Sequence, residues 1–174
     1  TRPGITVLVR GAQAEVFLNE VAGLFGGGIP GTLLGPKGPV RISEGIAELV
    51  AGGASIVAGG REIEGPRCAF ANTLLRASGA AFLANPHALQ TEAFGTVNLV
   101  VVADTADEMV AMAGSLEGNL TGSIYSDVAG GDDELYQRVE PVLRRKVGRL
   151  LNDLLQSAAE DPHSGVAKEI APRI

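Results

Sequence analysis

Glu92-Ala93-Phe94-Gly95 puts a carboxylate and a flat ring two residues apart, with a glycine behind them and the apolar run Val97 to Val102 next. A carboxylate accepts hydrogen bonds from hydroxyls, and a ring offers a face to another planar group. The pair at the mouth of a buried strand suits a cofactor with hydroxyls to hold and a ring to rest. The other reactive residues are weaker candidates. Cys68 lies between Arg67 and Ala69, and a neighbouring cation favours thiolate, but no base is placed beside it, so it reads as a structural cysteine. His87 and His163 lack metal-ligand spacing. Asp132-Asp133-Glu134 reads as a helix start, since the rest of a calcium loop is missing. Gly26-Gly27-Gly28-Ile29-Pro30-Gly31 spells Gly-X-Gly-X-X-Gly, yet a helical pattern precedes it and no clear helix follows, which is the wrong context for a dinucleotide loop. Lys37 is followed by Gly38 rather than Ser or Thr, so the phosphate cradle of P-loop enzymes is not met.

The elements that must position Glu92 and Phe94 follow from periodicity. Ile5–Val9 is β-branched and reads as a strand. Ala12–Phe25 has apolar residues at mostly helical spacing and stops at Gly26 to Gly28. A polar, proline-bearing loop runs to Pro39, and a second helix spans Arg41–Ala51 with Ile42, Ile46, Leu49 and Val50 on one side. Strands are predicted at Ala54–Ala58 and Ala71–Arg76, a helical turn or loop at Asn85–Phe94, and the most apolar strand at Val97–Val102. Asp104 to Glu108 then opens a helix to about Leu116, with acids in its first turn and Thr105 and Glu108 at capping-box spacing. Leu120–Tyr125 is a strand, Asp132–Val147 a helix, and Arg149–Leu151 begins a last strand. Continuously apolar strands alternating with helices indicate an α/β fold, a three-layer sandwich with a mostly parallel sheet.

Composition bounds the function classes. The chain has 174 residues and 45% apolar content, enough for one sizeable core. A formal charge of −6 argues against nucleic acid and anionic membranes as partners. No apolar run approaches the roughly 18 to 20 residues of a membrane span, no secretory signal is visible, and one cysteine forms no internal disulfide. We therefore expect a cytoplasmic protein.

The block around Glu92 resembles the Glu-X-Phe-Gly-Pro signature of the aldehyde dehydrogenase family. The preceding Phe82-Leu83-Ala84-Asn85-Pro86 looks most like the branch that oxidises α-ketoglutaric semialdehyde (2,5-dioxovalerate). Leu116-Glu117-Gly118-Asn119-Leu120-Thr121 and Gly148-Arg149-Leu150-Leu151-Asn152 resemble later turns and strands of that branch. The family's proline after Phe-Gly is Thr96 here, which loosens the turn but keeps both contact residues. The resemblance implies that Glu92 accepts hydrogen bonds from the nicotinamide ribose of NAD or NADP, and that Phe94 packs beside the nicotinamide. It also implies a partial catalytic domain over residues 1–156, with a tail, 157–174, that has no clear match beyond a faint one at His163-Ser164-Gly165-Val166.

Thr1, Pro3 and Gly4 resemble the segment after the family's nucleophile. That match implies a reactive cysteine one residue before Thr1, with the base glutamate, oxyanion asparagine and nucleotide domain also outside this chain. In the whole enzyme a thiolate would attack the aldehyde, hydride would pass to NAD(P)+, and water would hydrolyse the thioester. We expect the parent to be a homo-oligomeric NAD(P)-dependent dehydrogenase of a small aldehyde, no catalytic residue or metal within this chain, and no activity from the chain alone. Two rival readings stay open: a non-catalytic α/β assembly or nucleotide-binding module, and an acyl-phosphate reductase.

Overall fold

The computed structural model of the chain describes residues 4–152. The family-like segment Thr1 to Pro3 and the tail 157–174, with His163, lie outside the described residues. Two compact units divide at Ser115 and Leu116.

The first unit is built on a four-stranded sheet of order β1-β6-β5-β2. Strands β1 (Ile5–Val9), β6 (Val97–Ala103) and β5 (Thr73–Ser78) run parallel, and β2 (Ser55–Ala58) is antiparallel to β5. Ile5 and Leu75 both stand level with Leu99 of β6. From Asn98 to Ala103 β6 is buried at every position, so both faces of the sheet are covered. Side chains alternate between faces along a strand. Leu74, Val100 and Val102 therefore share a face, and they cluster with Leu18 of helix α1 (Ala12–Gly27). Helix α3 (Gly79–Ala84) contacts β5 and β6 and helix α4 (Ala106–Ser115) contacts β1 and β6, where Leu75, Leu99 and Val101 supply the alternate set of buried residues. The expected mixed α/β architecture with a mostly parallel sheet is the one observed.

Helix α2 spans Lys37–Ala51, four residues earlier than its apolar pattern suggests. The last three residues of the predicted loop, Lys37 to Pro39, are already helical, because proline at the third helical position lacks only an N–H that has no intrahelical acceptor. Periodicity alone does not reveal the short pieces. Strands β3 (Glu62–Ile63) and β4 (Ala69–Phe70) form a two-residue ladder, and α3 is a six-residue helix capped by Ser78 Oγ accepting from Ala81 N at 3.1 Å. After β2 the chain turns at Gly59, whose φ of +76° suits glycine and whose added Cβ would collide with the Asn72 carbonyl. Buried Thr73 secures that turn, with Oγ1 accepting from Gly60 N at 2.9 Å and donating to Ala71 O at 2.8 Å.

The second unit pairs β7 (Asn119–Ile124) in parallel with β8 (Val147–Asn152), joined through α5 (Asp133–Leu143). Helix α5 ends four residues before the predicted Val147. Pro141 lies in its last turn, and Arg145 N and Lys146 N tighten onto the carbonyls of Val142 and Leu143, the i→i+3 closure common at helix ends.

Candidate functional site

Glu92 and Phe94 belong to an irregular run between a 3₁₀ turn (Ala88–Gln90) and the amino end of β6. Its start is fixed by Gln90, whose Nε2 donates to Pro86 O at 2.9 Å and to Ser115 O at 3.1 Å, and by fully buried Leu89. From there the run travels along α2 in the opposite direction. Ala88 and Leu89 pack over Gly52, Ala93 over Gly45, and Gly95 over Ile42. Residues 42, 45 and 52 lie on one helical face at spacings of three and seven.

Burial alternates from Thr91 to Phe94. Ala93 is half-buried, whereas Glu92 is exposed and Phe94 is 77% exposed. The inward positions are small because they meet the helix. The outward positions carry the charge and the ring. The Glu92 carboxylate makes no hydrogen bond or ion pair among the described residues, so its oxygens are available to hydroxyl donors. An exposed carboxylate two residues from an exposed ring leaves a hydrogen-bond acceptor and a flat apolar face both open to solvent.

Neither of the two main cavities includes Glu92 or Phe94. One, of about 390 Å³, lies beneath the second half of α1 and is lined by Phe17, Val21, Leu24, Phe25, Thr96 and Asn98 among others. The other, of about 180 Å³, sits at the carboxyl ends of β1 and β5 between Arg10 and Arg76. Both guanidinium groups are already engaged, Arg10 with Asp104 at 2.5 Å and Arg76 with Glu15 at 2.6 Å.

The remaining sequence candidates take structural roles. Gly26 and Gly27 finish α1, and Asn72 Nδ2 donates to Gly28 O at 3.1 Å, so the glycine run is a helix stop rather than a phosphate loop. Lys37 begins α2. Cys68 is half-buried beside β4, and its carbonyl accepts from Leu33 N at 2.8 Å. Asp127 accepts from Ala129 N and Gly131 N, and Asp132 accepts from Asp127 N; these carboxylates hold the backbone before α5. Among the described residues no group of three His, Cys, Asp or Glu could hold a metal ion, and no helix is long and apolar enough to cross a membrane. Periodicity disclosed the buried face of α2 through Ile42, Ile46 and Leu49, while Val50 turns outward and is 43% exposed; it did not disclose that Ala93 seats on that face at Gly45. The available signal was Gly45, a glycine inside an otherwise good helical pattern.

No protein-family model matches the chain. In sequence it is similar to α-ketoglutaric semialdehyde dehydrogenase 2 of Azospirillum brasilense, with 31% identity over 160 residues, 87% of this chain and 28% of that protein. In structure it is similar to lactaldehyde dehydrogenase from Escherichia coli, with a TM-score of 0.67 and 22% identity over 86% of this chain and 31% of that one. It is also similar to betaine aldehyde dehydrogenase from Staphylococcus aureus solved with NAD+, with a TM-score of 0.66 and 19% identity over 86% of this chain and 30% of that one. At these identities the solved structures establish the fold. The chain spans under a third of the length of each of these relatives.

Proposed function

We propose, from the premise that this chain is a segment of aldehyde dehydrogenase type in both sequence and fold, that it supplies the cofactor-ribose clamp of an NAD(P)-dependent semialdehyde dehydrogenase. Its substrate on this reading is α-ketoglutaric semialdehyde. The observation that carries the proposal is the outward pairing of Glu92 and Phe94, with the carboxylate unengaged among the described residues.

When bound, the nicotinamide cofactor supplies the hydride acceptor. Glu92 accepts hydrogen bonds from two ribose hydroxyls and so fixes the sugar's rotation. Phe94 limits tilting of the planar group at the sugar's end and shields it from water. Both residues orient, and neither exchanges a proton with the substrate. Correct orientation lowers the barrier because the reacting atoms need not search for alignment. On this reading the half-buried Cys68, beside β4, is a structural residue and the reactive thiolate lies elsewhere.

The test is Glu92→Gln in the full-length enzyme. A hydrogen bond to a charged group contributes about 1.5 to 3 kcal/mol. Glutamine keeps a neutral oxygen acceptor, so the loss is the charged-minus-neutral difference of about 1 to 1.5 kcal/mol, which should raise the cofactor KM or slow single-turnover hydride transfer by roughly 5- to 15-fold. The circular dichroism spectrum should stay that of the wild type, because the side chain is exposed. Unchanged cofactor kinetics would remove the ribose role. A panel of semialdehydes assayed on the same enzyme tests the substrate.

A further inference from the structure

Gly45 lies inside the fifteen-residue helix α2, where alanine is the better helix former. It is buried and opposes the middle of the site-bearing run. A Cβ at Gly45 would stand 3.0 Å from Ala93 Cβ, 3.1 Å from Ala93 Cα and 3.6 Å from Ala93 N. None of these atoms is the far end of a flexible side chain, so relief requires the backbone between Glu92 and Phe94 to move. The flanking contacts hinder a smooth withdrawal. Gly95 fits over Ile42, where an added Cβ would come within 2.5 Å of Cδ1, and Ile42 is only 1% exposed. At the other end Leu89 is fully buried against Gly52. The run thus packs closely on α2 on both sides of Ala93, and Gly45 opposes its middle.

We propose that Gly45 is a positioning residue for the cofactor: its missing side chain lets Ala93 seat on α2 and so aims Glu92 and Phe94 outward at a fixed height. This rests on the ribose-clamp reading. It extends that reading to a residue that touches neither cofactor nor substrate.

The experiment compares Gly45→Ala, the double variant Gly45→Ala with Ala93→Gly, and Glu92→Gln in the full-length enzyme. Gly45→Ala should raise the cofactor KM about three- to ten-fold, as a displacement of a few tenths of an ångström at a positioned group would, and leave the aldehyde KM unchanged. Removing the Ala93 methyl should return the cofactor KM toward wild type. In the 174-residue chain, the amide resonances of Ala93 to Gly95 should shift in the single variant and return in the double. A wild-type cofactor KM for Gly45→Ala, with a raised one for Glu92→Gln, overturns the positioning role and leaves the clamp standing. A Glu92→Gln enzyme with unchanged cofactor kinetics removes both. If Gly45→Ala also lowers the thermal midpoint, recovery of that midpoint in the double variant without recovery of the cofactor KM marks Gly45 as structural only and overturns the proposal.

Discussion

A phenyl ring with 77% of its surface exposed adds little to folding and is available to a flat ligand. Phe94 and Glu92 share that property, and it separates their roles from those of the small residues between and behind them. Phe94→Ala should therefore change stability by no more than about 0.5 kcal/mol, as surface substitutions usually do, when measured by urea denaturation of the chain. In the full-length enzyme the same change should raise the cofactor KM. A large loss of stability would show that the ring is part of the core and contradict its observed exposure. Ala93 responds in the opposite sense, since bulk there meets Gly45, and a Cβ at the exposed Gly95 would meet the buried Ile42 side chain.

Helix α4 packs on β1 and β6, the strands whose alignment sets where the site-bearing run enters the sheet. Its start is held by a variant of the expected capping box. Thr105 Oγ1 accepts from Glu108 N at 3.1 Å, as the spacing requires, but the Glu108 carboxylate accepts from Asp104 N at 2.5 Å, one residue earlier than the usual return bond. Gly79 lies against that carboxylate and leaves no room for a Cβ there. Thr105→Ala should cost about 0.5 to 2 kcal/mol, read as a lower denaturant midpoint with an unchanged slope. Cofactor kinetics should stay near wild type, because the cap orders the far end of β6 from Glu92. The Arg76–Glu15 pair between β5 and α1 has side chains 35% and 49% exposed and contributes less, on the order of 0.2 to 1 kcal/mol.

At the scale of the whole molecule, the chain covers 28% of the semialdehyde dehydrogenase it matches. Its described residues include the exposed Glu92 and Phe94 on which the proposed clamp rests. On the proposed function, the purified 174-residue chain should produce no reduced cofactor fluorescence when mixed with α-ketoglutaric semialdehyde and either NAD+ or NADP+. Robust turnover would overturn the account of Cys68 as a structural residue. Each compact unit carries its own parallel strand pairing.

The sequence alone determined what contiguous residues decide. Strand β1 falls at Ile5–Val9 as its β-branched run requires, α1 begins at Ala12, and α2 stops at Ala51 before its glycines. Helical and strand periodicity are local, so they are legible in one dimension. Glu92 and Phe94 were likewise legible as a charge and a ring ahead of an apolar strand. Their outward direction was not. It depends on Gly45 and Ile42 meeting Ala93 and Gly95 from about fifty residues away in the chain. The same holds for the sheet, where Ile5 stands beside Leu99. Only tertiary packing settles such contacts, because they arise from closing long loops around a shared core, and no local pattern records which surfaces will meet.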